Sequence, residues 1–375
     1  MKLTSSIAAA ILFTANSSGV QAVVQYQITD LGTLGGTSSR AYGINNTGDI
    51  VGRSRGPAKP DGSNGDRNAF LYTNGQMLNL GNFGGTNTIA SASNSSRQVV
   101  GYSRPNPDSS EYNAFLHEKG ELKNLGTLGT GKFSYAYGIN ESGQIVGHSH
   151  TNGTGTNSEA FIYENGVMTG LGTLGGKSAG AFDVNDNGVI VGTSTIADTA
   201  DTQGFVYRDG SMVSLGSLDE TGYSEARAIN NNNQIVGNSL TESGSYHTFL
   251  YDLEEGVMND LGSIEGDSFA YDINTEGQIV GGYRSHLLEG SGQAYLYSDG
   301  EMFDLTSLLS ASDQEKWDLT AAFGINDNGQ IVGWGDIGDQ SHAYLLTAVP
   351  LPASISLMMP ALGLLGFLGK RRKSS

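Results

Sequence analysis

The chain has 375 residues, 37% hydrophobic and 15% charged, with 55 Gly, 17 Tyr and 13 Phe; polarity carried mainly by Gly, Ser, Thr and Asn favours turn-rich β structure over helix. A formal net charge of −18 argues against nucleic acid and anionic membrane as partners of the body, and leaves cations and neutral polymers. With no Cys, disulfides and thiolate metal sites are excluded.

Residues 1–22 carry Lys2, an apolar stretch from Ile7 to Phe13 and the small-x-small end Val20-Gln21-Ala22, which predicts a secretory signal cleaved after Ala22. The body, 23–348, opens with "QYQITDLG" (25–32), a lone strand, and then repeats. Aligned on Asn45, Asn94, Asn140, Asn185, Asn230, Asn274 and Asn326, with Asn94 the degenerate copy, it holds seven units of about 45 residues, a spacing that marks a repeat architecture.

Each unit reads as four strands. In the first they are "AYGIN" (41–45), "DIVG" (49–52), "AFLY" (69–72) and Met77 to Leu80. Asn45-Asn46-Thr47-Gly48 suits a type I turn whose Gly takes the left-handed conformation. Asn74-Gly75, Lys119-Gly120, Asn165-Gly166, Asp209-Gly210, Glu255-Gly256 and Asp299-Gly300 predict tight hairpins between the third and fourth strands. The aromatics of the third strand are two residues apart and so share one face. In the fourth strand the apolar positions are three apart, which predicts a bulge or an early end. Pro57, Pro60, Pro105 and Pro107 lie between second and third strands, where no ladder N–H is needed.

The last unit contains "LTSLLSASDQEKWDLTAAFGIN" (305–326). Ser312 and Glu315 make a capping box for a short helix, and Trp317 is expected to cover an edge or a channel mouth. The body ends on "HAYLLT" (342–347), a third strand with no fourth after it. The N-terminal strand can supply the missing one. The expected fold is therefore an all-β, seven-bladed β-propeller closed by its N-terminal strand, with a β-solenoid as the alternative.

Residues 349–375 hold Val349-Pro350-Leu351-Pro352-Ala353, an apolar segment from Ile355 to Leu368, and Lys370-Arg371-Arg372-Lys373. This order resembles the C-terminal sorting signals recognised by bacterial exosortases (PEP-CTERM, VPLPA type). The resemblance implies a bacterial protein that meets signal peptidase and exosortase during export and contacts the membrane only through this segment. It would then be secreted or held at the cell surface. A retained membrane anchor is the alternative. Without Lys2 and the four basic residues of the tail, 15 Lys and Arg face 38 Asp and Glu, or −23.

Across roughly 25–347, "DLGTLGG", "GIN..G.IVG" and "AF.Y" together resemble the HAF-repeat family of bacterial extracellular proteins. His342-Ala343-Tyr344 and His247-Thr248-Phe249 come near the naming triplet. That resemblance implies export and brings no chemistry with it.

Six histidines are scattered. His148-Ser149-His150 sets two imidazoles on one strand face without an evident third metal ligand. Asp183, Asn185 and Asn187 occupy positions of a calcium-loop pattern whose final Glu is replaced by Ser194. No nucleophile, metalloprotease or phosphate-loop motif occurs, and no cofactor is expected. The segments between second and third strands vary most and should emerge on one face. Tyr102, His148, Tyr283, Arg284 and Trp334, just after the second strands, are the candidate binding residues. The expected function is a non-enzymatic binding face for an envelope or extracellular-matrix component, polysaccharide or protein. The alternative is a hydrolase or lyase acting on extracellular polysaccharide.

Overall fold

A computed structural model describes residues 24–197, 201–219, 222–284 and 292–349. The expected signal at 1–22 and residues 350–375 of the expected sorting segment lie outside these, as does His286. The regular structure of the described chain is almost entirely β-strand.

The hairpin turn of each repeat is built by its Asn. Asn45 Oδ1 accepts the N–H groups of Thr47 at 3.1 Å and Asp49 at 3.0 Å, and Gly48, at φ +82°, donates its own N–H to the Asn45 carbonyl. This joins the strands Ser39–Ile44 and Ile50–Arg55. Two repeats put Arg97 (φ 59°) and Asn233 (φ 61°) in the glycine position. Both side chains reach back to the preceding repeat: Arg97 Nε donates to Asp49 Oδ2 at 2.9 Å, and Asn233 Oδ1 accepts from Asn185 Nδ2 at 2.9 Å. Those contacts offset the strain of a left-handed non-glycine residue.

The tight turns between third and fourth strands have both central residues at positive φ, as in Asn74 (51°) and Gly75 (77°), the twist a two-residue hairpin requires. Glu255-Gly256 departs from the expectation. Only Gly256 is left-handed, and the loop is lengthened by an Asp252 side chain that accepts from Glu254 N–H.

Packing explains why "IVG" travels with "AF". Gly52 lies directly opposite Phe70 in the ladder, and a Cβ there would clash with the Arg40 carbonyl oxygen and the Phe70 ring. The same pairing recurs down the chain to Gly281 with Tyr295 and Gly333 with Tyr344. Phe70, Phe115, Phe161, Phe205, Phe249, Tyr295 and Tyr344 are fully buried. The two tyrosines satisfy their hydroxyls, Tyr295 with Thr248 at 2.8 Å and Tyr344 with the Ala321 carbonyl at 3.0 Å, as burial demands.

Both expectations for the fourth strand are met. Ala114 pairs Gly126 and Phe115 pairs Asn124, so Leu125 sits in a bulge and is buried. In the first repeat the strand Gln76–Asn79 simply ends before Leu80. The three-residue apolar spacing is the mark of that irregularity.

Each repeat forms one four-stranded antiparallel sheet. The third and fourth sheets are joined by a single parallel bridge, Ser158 with Ser178. The last sheet draws on both ends of the body. Tyr26–Asp30 pairs Gln340–Ala348, which is followed in the sheet by Ile331–Ile337 and Trp317–Ile325. His342 Nδ1 lies 2.9 Å from Asp30 Oδ2 across this junction, and His247 meets Asp260 at 3.0 Å in the same way. A histidine near the start of the third strand thus pins the fourth.

Sheet is tied to sheet by the repeat asparagines. Asn45 Nδ2 donates to the Asn94 carbonyl (2.9 Å), Asn94 to Asn140 (3.2 Å), Asn140 to Asn185 (3.0 Å) and Asn185 to Asn230 (3.0 Å). Asn230 donates to Asn274 (2.9 Å), Asn274 to Asn326 (3.2 Å), and Asn326 to Asn45 (3.0 Å), where the series began.

One local expectation is corrected. The short helix is Ala311–Gln314, capped by Ser310 accepting from Asp313 N–H, so Ser312 and Glu315 do not form the cap. Trp317, expected to cover an edge or a channel mouth, is buried, packed edge-on to Tyr344 at 6.4 Å and among Leu308, Leu309 and Tyr26 of the edge strand Tyr26–Asp30.

Asn185→Ala removes a donor to the next repeat and an acceptor for two turn N–H groups, and is expected to cost about 2–4 kcal/mol. Asn185→Asp keeps the acceptor, loses the two bonds to the next repeat and sets an oxygen against their acceptors, so it too should destabilise, in thermal unfolding of the full chain. An unchanged Tm for Asn185→Asp would show that the inter-repeat bonds contribute nothing. Deleting residues 23–36 is expected to lower the Tm of the whole body in one transition; a Tm equal to wild type would refute a structural role for that strand.

Candidate functional site

Every first strand carries a bulge at the residue three before its asparagine. The ladder skips Tyr42, Ser91, Tyr137, Phe182, Arg227, Tyr271 and Phe323. An unpaired bulge residue escapes strict alternation and is re-aimed. All seven line one cavity of about 440 Å³, together with Arg53, Ile89 and Tyr102. All but Ser91 are planar side chains, and together they form a collar. Tyr271 and Phe323 rings are 4.8 Å apart, Tyr42 and Phe323 5.3 Å, and the Arg227 guanidinium lies 4.6 Å over Phe182. A second cavity of about 280 Å³ is bounded by the same collar positions and the asparagine turns.

The candidate residues lie within second strands that run further than expected. In Val99–Ser103 and Ile145–His150, Tyr102 and His148 join one aromatic cluster with Tyr112, Tyr135 and Tyr137. Tyr135 stacks on His148 at 4.6 Å and meets Tyr102 at 4.8 Å. Trp334 carries the Arg40 guanidinium 3.8 Å over its ring. Arg284 packs its guanidinium 5.3 Å over Phe269 and is otherwise exposed. Trp334, Tyr283 and Arg284 share a further cavity of about 380 Å³. Tyr283 is the exception in role, since its hydroxyl is bound to Asp304 Oδ2 at 2.9 Å on the outermost strand and its one polar atom is occupied.

The imidazoles of His148 and His150 lie 6.5 Å apart, and the described residues contain no group of three His, Asp or Glu able to hold a metal. Burial first, then the neighbouring His150, pushes His148 down to about 4, so the ring is neutral at neutral pH.

The calcium pattern at Asp183, Asn185 and Asn187 is a backbone device. Asp183 Oδ1 accepts Val184 N–H at 2.8 Å and Oδ2 accepts Ile229 N–H at 3.0 Å. Asn185 Oδ1 accepts from Asn187 and Val189, and Asn187 Nδ2 donates to the Asn231 carbonyl. Oxygens turned toward N–H donors do not form a cation cage. Asp272 does the same for Ile273 and Ile325 N–H, each at 2.9 Å.

The collar is what sequence reasoning missed. Its signal was available: a large planar side chain recurs three residues before the repeat asparagine, in Tyr42, Tyr137, Phe182, Tyr271 and Phe323.

Residues 176–342 match a family described as a protein of unknown function (DUF3466). No curated protein matches the chain by sequence. Among solved structures, the chain is similar to a puromycin-hydrolysing peptidase of Mycobacterium tuberculosis (TM-score 0.55, 12% identity, 88% of this chain and 56% of that one). It is similar also to the β-propeller domain of the Trilobed protease of Pyrococcus furiosus (0.54, 11%, 84% and 94%). A third similar structure is an oligogalacturonate lyase of Vibrio parahaemolyticus (0.53, 11%, 88% and 98%). The chain spans little more than half the length of the peptidase. At these identities the likeness is one of fold, and the fold is that of a β-propeller.

Burial pushes the Asp272 carboxyl from an ordinary 3.8 up to about 8, against the pull of its two N–H donors. Its contribution to stability is full below pH 3.8 and is lost as pH rises through 8. His148 acts oppositely: its contribution is present above 6.5 and lost as pH falls through 4. The Tm of Asp272→Ala is therefore expected to fall less than that of wild type between pH 4 and 8. A wild-type-minus-variant difference that does not change with pH would refute this.

Proposed function

We propose that the chain is a seven-bladed β-propeller closed by its N-terminal strand, exported by a bacterium, and non-enzymatic. In this reading it binds polysaccharide of the cell envelope or extracellular matrix at the mouth where the variable loops emerge. Blade number and closure are supported by the asparagine bonds that return from Asn326 to Asn45 and by the sheet shared between the chain ends. Export rests on the two terminal segments, read as substrates of signal peptidase and exosortase. No helix among the described residues is long and apolar enough to cross a membrane.

The observation that carries the binding reading is the aromatic mouth. Tyr102, Tyr112 and Tyr135 form one contiguous cluster beside an open cavity. Half-buried rings of this kind offer flat apolar faces with polar tips, which suits the faces of sugar rings.

A second reading, a hydrolase or lyase, is favoured by one feature. Asp318 and Asp336 lie directly opposite each other on neighbouring strands, and burial together with the Asp336 charge raises the Asp318 carboxyl above its ordinary value. A carboxyl held above its ordinary range beside a second carboxylate is one element of an acid–base pair.

A glycan array probed with the full chain is expected to show retention of at least one polysaccharide, and Tyr135→Ala to weaken it about tenfold, or roughly 1.4 kcal/mol. Retention of none would overturn the binding reading. Release of new chain ends from a retained glycan, abolished by Asp318→Asn, would replace it with the enzymatic one.

A further inference from the structure

The acidity of this protein has a local exception. Arg55, Lys59, Arg67 and Arg104 line one hollow of about 310 Å³ where the first two repeats meet. Its single carboxylate is Asp66, so the four cations carry a surplus of three (+4 −1). Asp66 is itself committed to Lys59, Nζ to Oδ1 being 2.7 Å. Arg55 Nη1 donates only to the Gly65 carbonyl, at 3.3 Å. Among the described residues neither Arg67 nor Arg104 has a carboxylate partner, and Arg104 Nε is buried without an acceptor.

The hollow is held by backbone. Arg67 N–H donates to the Thr86 carbonyl at 3.0 Å, tying the two repeats across it, and Arg104 N–H donates to the Asn87 carbonyl at 3.1 Å within the second repeat. Burial, then the charges of Arg53, Arg55 and Arg40, lower the pKa of Arg67. Crowded like charges cost energy wherever water does not screen them fully. With 38 acidic residues in the chain, a cationic hollow left without a matching carboxylate points to a counter-charge from outside. Guanidinium forks suit carboxylate and sulfate oxygens in particular.

The hollow also touches the aromatic mouth. Arg104 lies 5.1 Å over the Tyr112 ring, and Asn87 Nδ2 donates to the Tyr112 hydroxyl at 2.7 Å. Tyr112 in turn contacts Tyr102 and Tyr135. A ligand with a sugar ring on the tyrosines would bring a substituent to the arginines.

We propose that this hollow is an anion subsite that takes the carboxylate or sulfate groups of an acidic polysaccharide whose rings lie on the Tyr102, Tyr112 and Tyr135 cluster. It rests on the glycan-binding reading above and narrows it: the acidic body repels polyanions at long range, and this sector admits them at contact.

The test is calorimetric titration of the full chain with polygalacturonate, the same polymer methyl-esterified, dextran sulfate, neutral dextran and a single-stranded oligonucleotide. Polygalacturonate or dextran sulfate is expected to bind, whichever is tighter naming the anion, with affinity falling as salt rises. The esterified polymer should bind at least about tenfold more weakly than the acid. Arg67→Gln with Arg104→Gln should lose about tenfold for the acidic glycan and nothing for the ester. Arg67 is exposed, so Arg67→Gln alone, with a Tm equal to wild type, guards against misfolding and should lose part of the same affinity. Equal binding of acid and ester, or of variant and wild type, would overturn the subsite while leaving glycan binding intact. Failure of every glycan to bind would overturn the underlying reading. Tighter binding of the oligonucleotide than of either acidic glycan would make the hollow a nucleic-acid contact and overturn the proposal.

Discussion

The side-chain amides of Asn45, Asn94, Asn140, Asn185, Asn230, Asn274 and Asn326 each hand a hydrogen bond to the main chain of the next repeat, and the last returns to the first. These amides are buried, where an unmade bond costs more than a made one gains. Each amide does two things at once, since its oxygen also shapes the local turn. Turn geometry and inter-repeat registration are therefore the same interaction, and one residue cannot be optimised for the first without serving the second.

From that registration the other layers follow. The asparagine fixes where its strand starts back, and the bulge three residues earlier sets the collar position. Because the bulge is repeated in every first strand, seven side chains of different sequence meet in one cavity. The glycine opposite the buried aromatic keeps the second and third strands close. Residues that fill no such role, in the second strands' outer ends and the loops beyond, are free to differ. They carry the aromatic cluster, Trp334 with Arg40, and the cationic hollow beside that cluster.

This division explains why net charge is a poor guide to the mouth. The sum of −18 describes the long-range field, which weakens over about 8–10 Å in physiological salt. A contact surface is decided by the few groups within that distance: Arg55 and Arg67 face each other across one hairpin, and Arg104 joins them from the next repeat.

Strand order, both turn types, the fourth-strand irregularity and the supply of a strand by the N-terminus were legible in the sequence, because hairpin chemistry and residue alternation act within a few neighbours. Tyr102, His148 and Trp334 share one place in the repeat, late in the second strand, and that place was legible. The collar at Tyr42, Tyr137, Phe182, Arg227, Tyr271 and Phe323 was not, since a bulge breaks the alternation by which facing is read. Nor were the burial of Trp317, the capture of the Tyr283 hydroxyl by Asp304, or the use of Asp183 to bind backbone N–H groups rather than a cation. By itself the sequence determined the repeating unit and its turns, which depend on local backbone preference. Only the tertiary structure decided which side chains share a cavity and which charges stand unpaired, because those depend on distances between repeats that no local pattern encodes.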